Sequence, residues 1–276
     1  MIVAYFWHTF YCIIPYILIY LIIEMEGKFM NILVVNDDGI DGKGIHILAR
    51  ALKKYGNVVV CAPDTGRSAS SHAIILHQSL SFEDLGVEDG IHWYKTNGMP
   101  ADCVRLPMYL VAKKFDIVFS GINNGLNIGT DIIYSGTVSA AREAHIEGLP
   151  AVAVSTDFDS FEIVEKEIEK LLDYIFEENL YSKDYVLNVN FPEGKYHTSK
   201  GNRFCRQGIK NFKTFFVKNK DNLYDNVDGV ITLDQNKDTD VYLAGQGYIT
   251  FVPLQVDQTK TDCLEHFKTK YEKPPI

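Results

Sequence analysis

The chain has 276 residues, of which 46% are hydrophobic and 23% are charged. This composition is that of a chain that folds around a core, and it excludes an intrinsically disordered or collagen-like protein. A formal net charge of -9 disfavours a general nucleic-acid-binding protein, because contact with phosphate backbones needs clustered positive charge. The five cysteines form no Cys-x-x-Cys pair, so a zinc ribbon and a thioredoxin-like motif are excluded and a reducing compartment, the cytoplasm, is expected.

The first 23 residues contain no Asp, Glu, Lys or Arg, and their length matches one membrane span. A secretory signal peptide is disfavoured, because no basic residue opens the segment and no small-residue cleavage site follows it. Two interpretations of the hydrophobic extension, residues 1–29, remain open. Either residues 1–23 anchor the protein in a membrane, or the extension is upstream sequence and the true start is Met25 or Met30. The second is favoured, because Met30 directly precedes a strand-turn-helix unit.

From Asn31 onward the hydrophobic pattern alternates between strands and helices. Residues 32–35 form a short apolar run, which predicts a parallel strand covered on both faces. An amphipathic helix ending near Gly56 is predicted from four apolar residues at helical spacing, Ile45, Leu48, Ala49 and Leu52. Further strands are predicted at 58–61, 117–119 and 151–154, and further helices at 138–147 and at 101–114, the latter with Pro107 as a point of kinking. This alternation predicts a doubly wound, mostly parallel α/β sheet, which binds ligands beyond the carboxyl ends of its strands.

Adjacent carboxylates lie in the loop that leaves the first predicted strand, residues 36–39 (Asn-Asp-Asp-Gly). Asp37 and Asp38 repel each other unless a cation lies between them, so the pair indicates a metal site. The alternative is an Asx-turn in which Gly39 takes a positive φ, and this loop alone leaves the two interpretations equal.

Two more polar loops leave the carboxyl ends of predicted strands. Residues 62–72 offer hydroxyls, the Arg67 guanidinium and main-chain N–H groups, which suit an oxyanion, although an ordinary flexible surface loop is the alternative. Residues 120–129 combine glycines, which let the main chain approach a ligand, with asparagines, which supply amide donors and acceptors. The continuation at 134–137 (Tyr-Ser-Gly-Thr) opens a helix, whose N-terminus is a seat for phosphate. A simple N-cap at Thr137 is the alternative, and it leaves the glycine spacing unexplained.

The groups in these loops are oxygen donors that the topology is expected to bring to one edge of the sheet. Such a set favours a hard divalent cation, Mg²⁺ or Mn²⁺, whereas zinc or copper would require imidazole or thiolate. The chain contains no Gly-x-Gly-x-x-Gly after the first strand, no Walker-type loop and no Gly-x-Ser-x-Gly elbow, which disfavours dinucleotide, Walker-type and serine hydrolase sites. His72 is the only histidine near the site by sequence, and a phosphohistidine mechanism is not expected.

Five ordered motifs carry a resemblance to a known family: residues 36–40 (Asn-Asp-Asp-Gly-Ile), 62–69 (Ala-Pro-Asp followed by Arg-Ser-Ala), 120–123 (Ser-Gly-Ile-Asn), 125–129 (Gly-x-Asn-x-Gly) and 134–138 (Tyr-Ser-Gly-Thr-Val). From about Met30 to about His266 the chain resembles the SurE family of nucleotidases. The resemblance implies a Rossmann-like core and a 5′-nucleotidase that hydrolyses nucleoside monophosphates with one divalent metal ion, Mg²⁺ or Mn²⁺. It also implies a homo-oligomer, a dimer or a tetramer, built through the C-terminal region.

The functional positions of that family carry over to this chain residue by residue. Its metal-ligand positions match Asp37, Asp38, Ser68 and Asn123. Its phosphate-binding positions match Asn127, Ser135, Gly136 and Thr137. As the catalytic pair, Asp37 is expected to orient or deprotonate the attacking water and Asp38 to hold the metal, although the sequence hardly separates these roles. The extension before Met30 is not part of the family pattern, and residues 69–72 are a variable stretch at the substrate rim.

A basic segment interrupts the α/β pattern after Pro192. Residues 194–220 contain eight Lys or Arg and no Asp or Glu, with phenylalanines interleaved. Such mixtures can bind single-stranded nucleic acid. A hairpin arm at 194–245 that packs on a partner subunit is favoured instead, and no nucleic-acid partner is expected. Residues 247–253 are predicted to return as a late strand, so that 30–276 form one nucleotidase domain.

A nucleotide-binding sensor without turnover is the alternative function. The intact aspartate pair disfavours it, because a simple phosphate receptor would avoid two anions beside its ligand. A membrane partner is expected only if the hydrophobic extension is translated.

Overall fold

The structure is a computed structural model that describes residues 29–213, 215–227 and 231–272. Within these ranges the strands are β1 (Met30–Val35), β2 (Gly56–Pro63), β3 (Glu83–Glu88), β4 (Ile91–Thr96), β5 (Ile117–Asn124), β6 (Ala151–Thr156), β7 (Val186–Asn190), β8 (Asn202–Phe204), β9 (Lys210–Phe212), β10 (Phe215–Lys218), β11 (Tyr224–Val227), β12 (Ile231–Leu233) and β13 (Ile249–Leu254). The helices are α1 (Lys43–Leu52), α2 (Pro100–Leu110), α3 (Asp131–Tyr134), α4 (Gly136–Ile146), α5 (Phe161–Glu177), α6 (Asp240–Gly245) and α7 (Thr261–Tyr271).

The main sheet has nine strands in the order β3-β4-β2-β1-β5-β6-β7-β13-β8. The six strands from β4 to β7 are parallel to their neighbours, whereas β3 pairs antiparallel with β4 and β13 antiparallel with β7. The chain moves outward from β1 to β2 and β4, and then returns to β5 on the other side of β1. The strand order therefore reverses between β1 and β5, which places a ligand crevice at the carboxyl ends of these two strands. The predicted α/β, doubly wound fold is confirmed.

Helices cover both faces of the sheet, and the alternation of side chains along β1 shows how. Ile32 and Val34 join the core formed with α1 and α5, and Leu33 and Val35 join the core formed with α2 and α4. All four side chains are fully buried. Because successive side chains of a strand point to opposite faces, a run of four apolar residues is what a strand between two helical layers requires.

Helix α1 packs unusually close to the sheet at its first turn. A side chain at Gly44 would place its Cβ 1.8 Å from the main-chain oxygen of Ile122 in β5. The glycine is therefore required by the approach of two main chains, and it holds α1 directly behind the loop that carries the aspartate pair.

Several elements differ from the prediction or lie outside it. The helix predicted at 101–114 ends at Leu110, and it runs through Pro107, which removes one main-chain donor from its last turns. The hairpin of β3 and β4, helix α5 and strand β7 were not among the predicted elements. The late strand predicted at 247–253 is β13, which begins two residues later, at Ile249.

The segment predicted as a basic arm divides into two parts. Its first strand, β8, joins the main sheet beside β13, whereas β9 pairs with β12 and β10 pairs with β11 as separate antiparallel ribbons. The β10–β11 ribbon exposes Phe215, Phe216 and Tyr224. The predicted C-terminal hairpins are therefore present, and their role in an oligomer stays a prediction.

Both interpretations of the hydrophobic extension concern residues 1–28, which lie outside the described residues. In the part of the chain that the structure does describe, no helix is both long enough and apolar enough to cross a membrane.

We expect Gly44→Ala to destabilise the fold, by about 2 kcal/mol or more, because the added Cβ must displace α1 from β5. The matched control is Gly245→Ala in α6, where the nearest atom to the new Cβ is a terminal oxygen of the flexible Glu193 side chain, at 3.2 Å. That control should change stability by less than about 1 kcal/mol. Urea unfolding of both variants measures the difference, and equal effects would show that the close approach at Gly44 is unimportant.

Candidate active site

The Asp37 side chain is buried at the carboxyl end of β1, with 4% of its surface exposed. Its Oδ1 accepts a hydrogen bond from the hydroxyl of Thr137 at the start of α4. Its main-chain oxygen accepts the N–H of Arg67 at 2.7 Å, which fixes the loop after β2 against the loop after β1. Gly136 completes the enclosure, since a Cβ there would lie 2.8 Å from the Cβ of Asp37. One aspartate thus joins three segments that are far apart in sequence.

The pKa of Asp37 is raised to about 6, chiefly because the carboxyl group is buried and to a smaller extent because of the neighbouring charge of Asp38. The hydroxyl and main-chain N–H of Thr137 act in the opposite direction, because both donate hydrogen bonds to the carboxylate. The N-terminus of α4 is therefore directed at Asp37. The sequence analysis assigned Thr137 to phosphate, and in the structure its side chain is engaged with this carboxylate instead.

Asp38 is half-buried beside Asp37, and its Oδ2 accepts the main-chain N–H of Asn124 at 2.9 Å. Burial also raises the pKa of Asp38. Because the pKa values of both adjacent carboxyl groups are raised, the hydrogen bonds that the protein donates to them do not fully offset the cost of burying two negative charges.

The turn geometry of the alternative interpretation is present as well. Gly39 has a φ of 97°, and the Asn36 side-chain amide donates to the Gly39 oxygen at 2.8 Å. The turn and the carboxylate pair therefore occur together, because the turn is what presents Asp37 and Asp38 side by side.

The loop after β2 lies against this turn and carries Ser68. The Arg67 guanidinium is held by Asp64 at 3.1 Å and by the Asn97 main-chain oxygen at 3.0 Å. These contacts position the guanidinium within the loop, and its buried Nε has no hydrogen-bond partner among the described residues, so the predicted role toward an oxyanion stays a prediction. Ser68 is exposed and directly follows Arg67, whose main-chain N–H is bonded to Asp37.

Farther along this loop, contacts with α3 and α4 hold the chain in place. Ser71 donates through its N–H to the Tyr134 oxygen at 2.9 Å and through its hydroxyl to the Ile133 oxygen at 2.9 Å. His72 Nε2 lies 2.8 Å from Glu143 Oε2 in α4. This contact links the loop after β2 to α4.

Asn123 lies at the carboxyl end of β5, next to the residue that contacts Asp38. The side-chain Nδ2 of Asn123 donates a hydrogen bond to the main-chain oxygen of Gly125 at 2.7 Å. This bond orients the amide and does not use its Oδ1 atom. Because the next residue, Asn124, binds Asp38 through its main chain, Asn123 and the aspartate pair lie at the same crevice. Asn123 is thus one residue from the contact with Asp38, and its role as a metal ligand stays a prediction.

Asn127 occupies a different position, in a buried amide cluster at the ends of β6 and β7. Its Nδ2 donates to Ser155 at 2.8 Å, its N–H donates to Asn190, and its main-chain oxygen accepts from Asn188 and Asn190. The sequence analysis missed Ser155, Asn188 and Asn190. A polar residue at alternate positions of an otherwise apolar strand, as in Val-Leu-Asn-Val-Asn at 186–190, was the available signal.

The start of α4 is capped by Ser135, whose hydroxyl accepts the N–H of Val138 at 3.0 Å. The N-cap is therefore Ser135, not Thr137 as the simpler alternative required. Among the described residues, no acceptor is bonded to the N–H of Gly136. That group, at the positive end of the helix, remains available for an anion.

A buried carboxylate from the C-terminal part, Asp240, holds the loop after β5 from the other side. It accepts the N–H groups of Gly129 at 3.0 Å, Gly208 at 2.8 Å and Val241 at 2.8 Å, and it is fully buried. Lys210 strengthens the contact through an ion pair with Asp131 at 2.6 Å. Sequence reasoning missed Asp240, because nothing local indicates which main chain it binds.

The aspartate pair fits a divalent cation. Within the described ranges, no Lys, Arg or His forms an ion pair with Asp37 or Asp38. The Oδ1 of Asn36, next to the pair, is buried and accepts no hydrogen bond. No group of three or more His, Cys, Asp or Glu side chains converges in the described part of the chain, so a bound ion would rely on two carboxylates and neutral oxygens. This donor set suits Mg²⁺ or Mn²⁺ better than zinc.

Comparisons with known proteins show the family of this chain. The family model described as "Survival protein SurE" matches residues 32–214. The 5′-nucleotidase SurE of Clostridium botulinum (strain ATCC 19397 / Type A) is 41% identical over 245 residues, which cover 86% of this chain and 97% of that protein. The 5′-nucleotidase SurE of Caldanaerobacter subterraneus subsp. tengcongensis is also 41% identical, over 85% of this chain and 95% of its own length.

A solved structure shows the same fold. The crystal structure of SurE protein from Aquifex aeolicus matches with a TM-score of 0.73 and 33% sequence identity, covering 87% of this chain and 98% of that one. The comparisons confirm the predicted family and the predicted enzyme class. The chain belongs to the SurE family.

Proposed function

We propose that this protein is a divalent-metal-dependent 5′-nucleotidase that hydrolyses nucleoside monophosphates to nucleoside and phosphate. The observation that carries the proposal is the pair of carboxylates, Asp37 buried and Asp38 half-buried, which has no cationic partner among the described residues and lies where the strand order reverses, beside a helix N-terminus. The names of the relatives support the enzyme class. The Mg²⁺ or Mn²⁺ dependence rests on the donor set of the aspartate pair.

Asp37, Asp38, Ser68 and Asn123 would hold the metal. When bound, the ion would act as a Lewis acid toward a phosphoryl oxygen. Asp37 orients or deprotonates the water that attacks phosphorus, and the Thr137 hydrogen bonds keep its carboxylate in one orientation for that role. Asp38 is held by Asn124, and this contact fixes the spacing between the two carboxylates.

The phosphoryl group would be bound by Asn127, Ser135 and Gly136, and Thr137, the fourth predicted phosphate ligand, would contribute by holding Asp37. The N–H of Gly136 supplies a donor at the positive end of α4, which stabilises charge on the phosphoryl oxygens. Gly136 has a second role, because any side chain there would fill the space beside Asp37. Assembly into a homo-oligomer through the arm, and a cytoplasmic location, belong to the same proposal.

We expect Asp38→Asn to reduce phosphate release from nucleoside monophosphates by about 100-fold or more, because it removes one of the two charges that hold the metal. A screen of nucleoside monophosphates with Mg²⁺, with Mn²⁺ and with a chelator measures this, and the chelator should abolish the wild-type signal. The matched control is Asp41→Asn, an exposed carboxylate three residues away, which should keep full activity.

The same screen separates the enzyme from the nucleotide sensor. Tight mononucleotide binding by the wild-type protein with no phosphate release in any divalent cation would reject the nucleotidase. Activity of Asp38→Asn close to that of Asp41→Asn would reject the metal role of the aspartate pair.

We expect Asp37→Asn to stabilise the metal-free protein near pH 7.5. The pKa of Asp37 is raised from 3.8 to about 6, so the protonated form favours folding and this contribution is present below pH 4 and lost as the pH rises through 6. The asparagine side chain of the variant does not ionise. The free energy of unfolding of Asp37→Asn should therefore exceed that of the wild type by roughly 1–3 kcal/mol at pH 7.5 and equal it at pH 4.

Chemical unfolding at the two pH values measures this difference. Added Mn²⁺ provides the opposing readout, because it should stabilise the wild type and have little effect on Asp37→Asn. A variant that is less stable than the metal-free wild type at pH 7.5 would contradict the uncompensated burial of Asp37.

A further inference from the structure

Phe158 is an exposed aromatic residue beside the candidate active site. It follows β6, the strand next to β5 in the sheet, and 73% of its surface is exposed. An apolar ring so exposed contributes little to folding, since the free energy of burial scales with the area removed from water. Its placement at the carboxyl edge of the sheet puts it among the loops that would surround a ligand.

Hydrogen bonds tie the residues around Phe158 to the loop after β5. The N–H of Asp159 donates to the side-chain oxygen of Asn124 at 2.8 Å. The main-chain N–H of the same asparagine donates to Asp38, so one residue separates the aspartate pair from the segment that carries the ring. The main chain next to the ring is therefore linked to one of the proposed metal ligands.

The ring lies against Gly125. A Cβ at Gly125 would meet three carbons of the Phe158 ring at 3.1, 3.3 and 3.5 Å, and this glycine has a φ of 144°. Contact with three ring carbons shows that the ring covers the glycine main chain, between the proposed metal ligand Asn123 and the proposed phosphate ligand Asn127. Most of the ring surface is still open to solvent.

We propose that Phe158 is the platform on which the base of the nucleotide stacks. This inference rests on the proposed function, which supplies a substrate whose phosphate lies at the aspartate pair and whose base must extend outward from it. Every base has a π-face, so a stacking platform strengthens binding roughly 5- to 100-fold without selecting one base by hydrogen bonds. The platform therefore favours nucleotides over phosphate esters without a base, and it favours purines over pyrimidines because of their larger rings.

Steady-state kinetics with adenosine 5′-monophosphate and with ribose 5-phosphate test the platform. Phe158→Ala should raise the KM for the nucleotide roughly 5- to 100-fold and leave the KM for ribose 5-phosphate unchanged. Phe158→Trp should keep the nucleotide KM at or below the wild-type value. The matched control is Tyr109→Ala, which removes an aromatic side chain of similar exposure, 74%, from α2. It should leave the KM for both substrates unchanged.

Three results would overturn the platform. An equal loss with both substrates would show that Phe158 acts only by covering Gly125, and an altered oligomeric state of Phe158→Ala in light scattering would place the ring in a contact between subunits. Unchanged kinetics would show that the base binds elsewhere.

Calorimetric binding of adenosine 5′-monophosphate separates failure of the platform from failure of the proposed function. If the wild type binds the nucleotide but releases no phosphate, and Phe158→Ala binds it more weakly, the platform stands and the nucleotidase does not. If the wild type releases phosphate and both proteins bind equally, the platform is rejected and the nucleotidase stands.

Discussion

The burial of the Asp37 carboxylate is the constraint on which the rest of the site depends. A buried charge is costly unless donors face it, and here the donors are the hydroxyl and N–H of Thr137 at the start of α4. To bring them close, the helix must approach so tightly that position 136 has no room for a side chain. The main-chain bond from Arg67 adds the loop after β2 to the same point. The compensation is incomplete, as the raised pKa shows, and this residual cost is what a bound cation would remove.

The loop after β5 is held from two sides, and both are remote in sequence. On the sheet side, Asn188 and Asn190 of β7 donate hydrogen bonds to the main-chain oxygen of Asn127. These bonds fix the position of the loop relative to the end of β7. On the arm side, Asp240 accepts the Gly129 N–H. Two glycines of this loop, Gly125 and Gly129, have positive φ values of 144° and 56°, which the path of the loop needs. The loop is therefore held in one path, which suits residues that are proposed to bind a phosphate at fixed positions.

The parts of this structure that could be predicted are those with a local signal. The apolar run at 32–35 and the helical spacing from Ile45 to Leu52 correspond to β1 and α1, and the topology of alternating elements was enough to bring the polar loops to one edge. Helix α5 has an equally local pattern, with Phe161, Val164, Ile168 and Leu171 on its buried face, and could have been found in the same way. The hydrogen bond between Thr137 and Asp37 could not be predicted, because the two residues are 100 positions apart in sequence and each could bond to several other groups. The orientation of Arg67 toward Asp64 likewise depends on a folded loop.

The contact between Asp240 and Gly129 also bears on the order in which the protein is completed during synthesis. The two residues are 111 positions apart, and the acceptor lies near the C-terminus. When β7 leaves the ribosome, every residue proposed to touch metal or phosphate has already been made, and domains begin to fold from their N-terminal parts during synthesis. The Gly129 N–H nevertheless has no buried acceptor until α6 follows. A nascent or shortened chain that ends after β7 would contain every residue proposed to bind metal or phosphate, but its loop after β5 would lack one of its two anchors. The site could therefore take its final form only after the last helices and strands have been made.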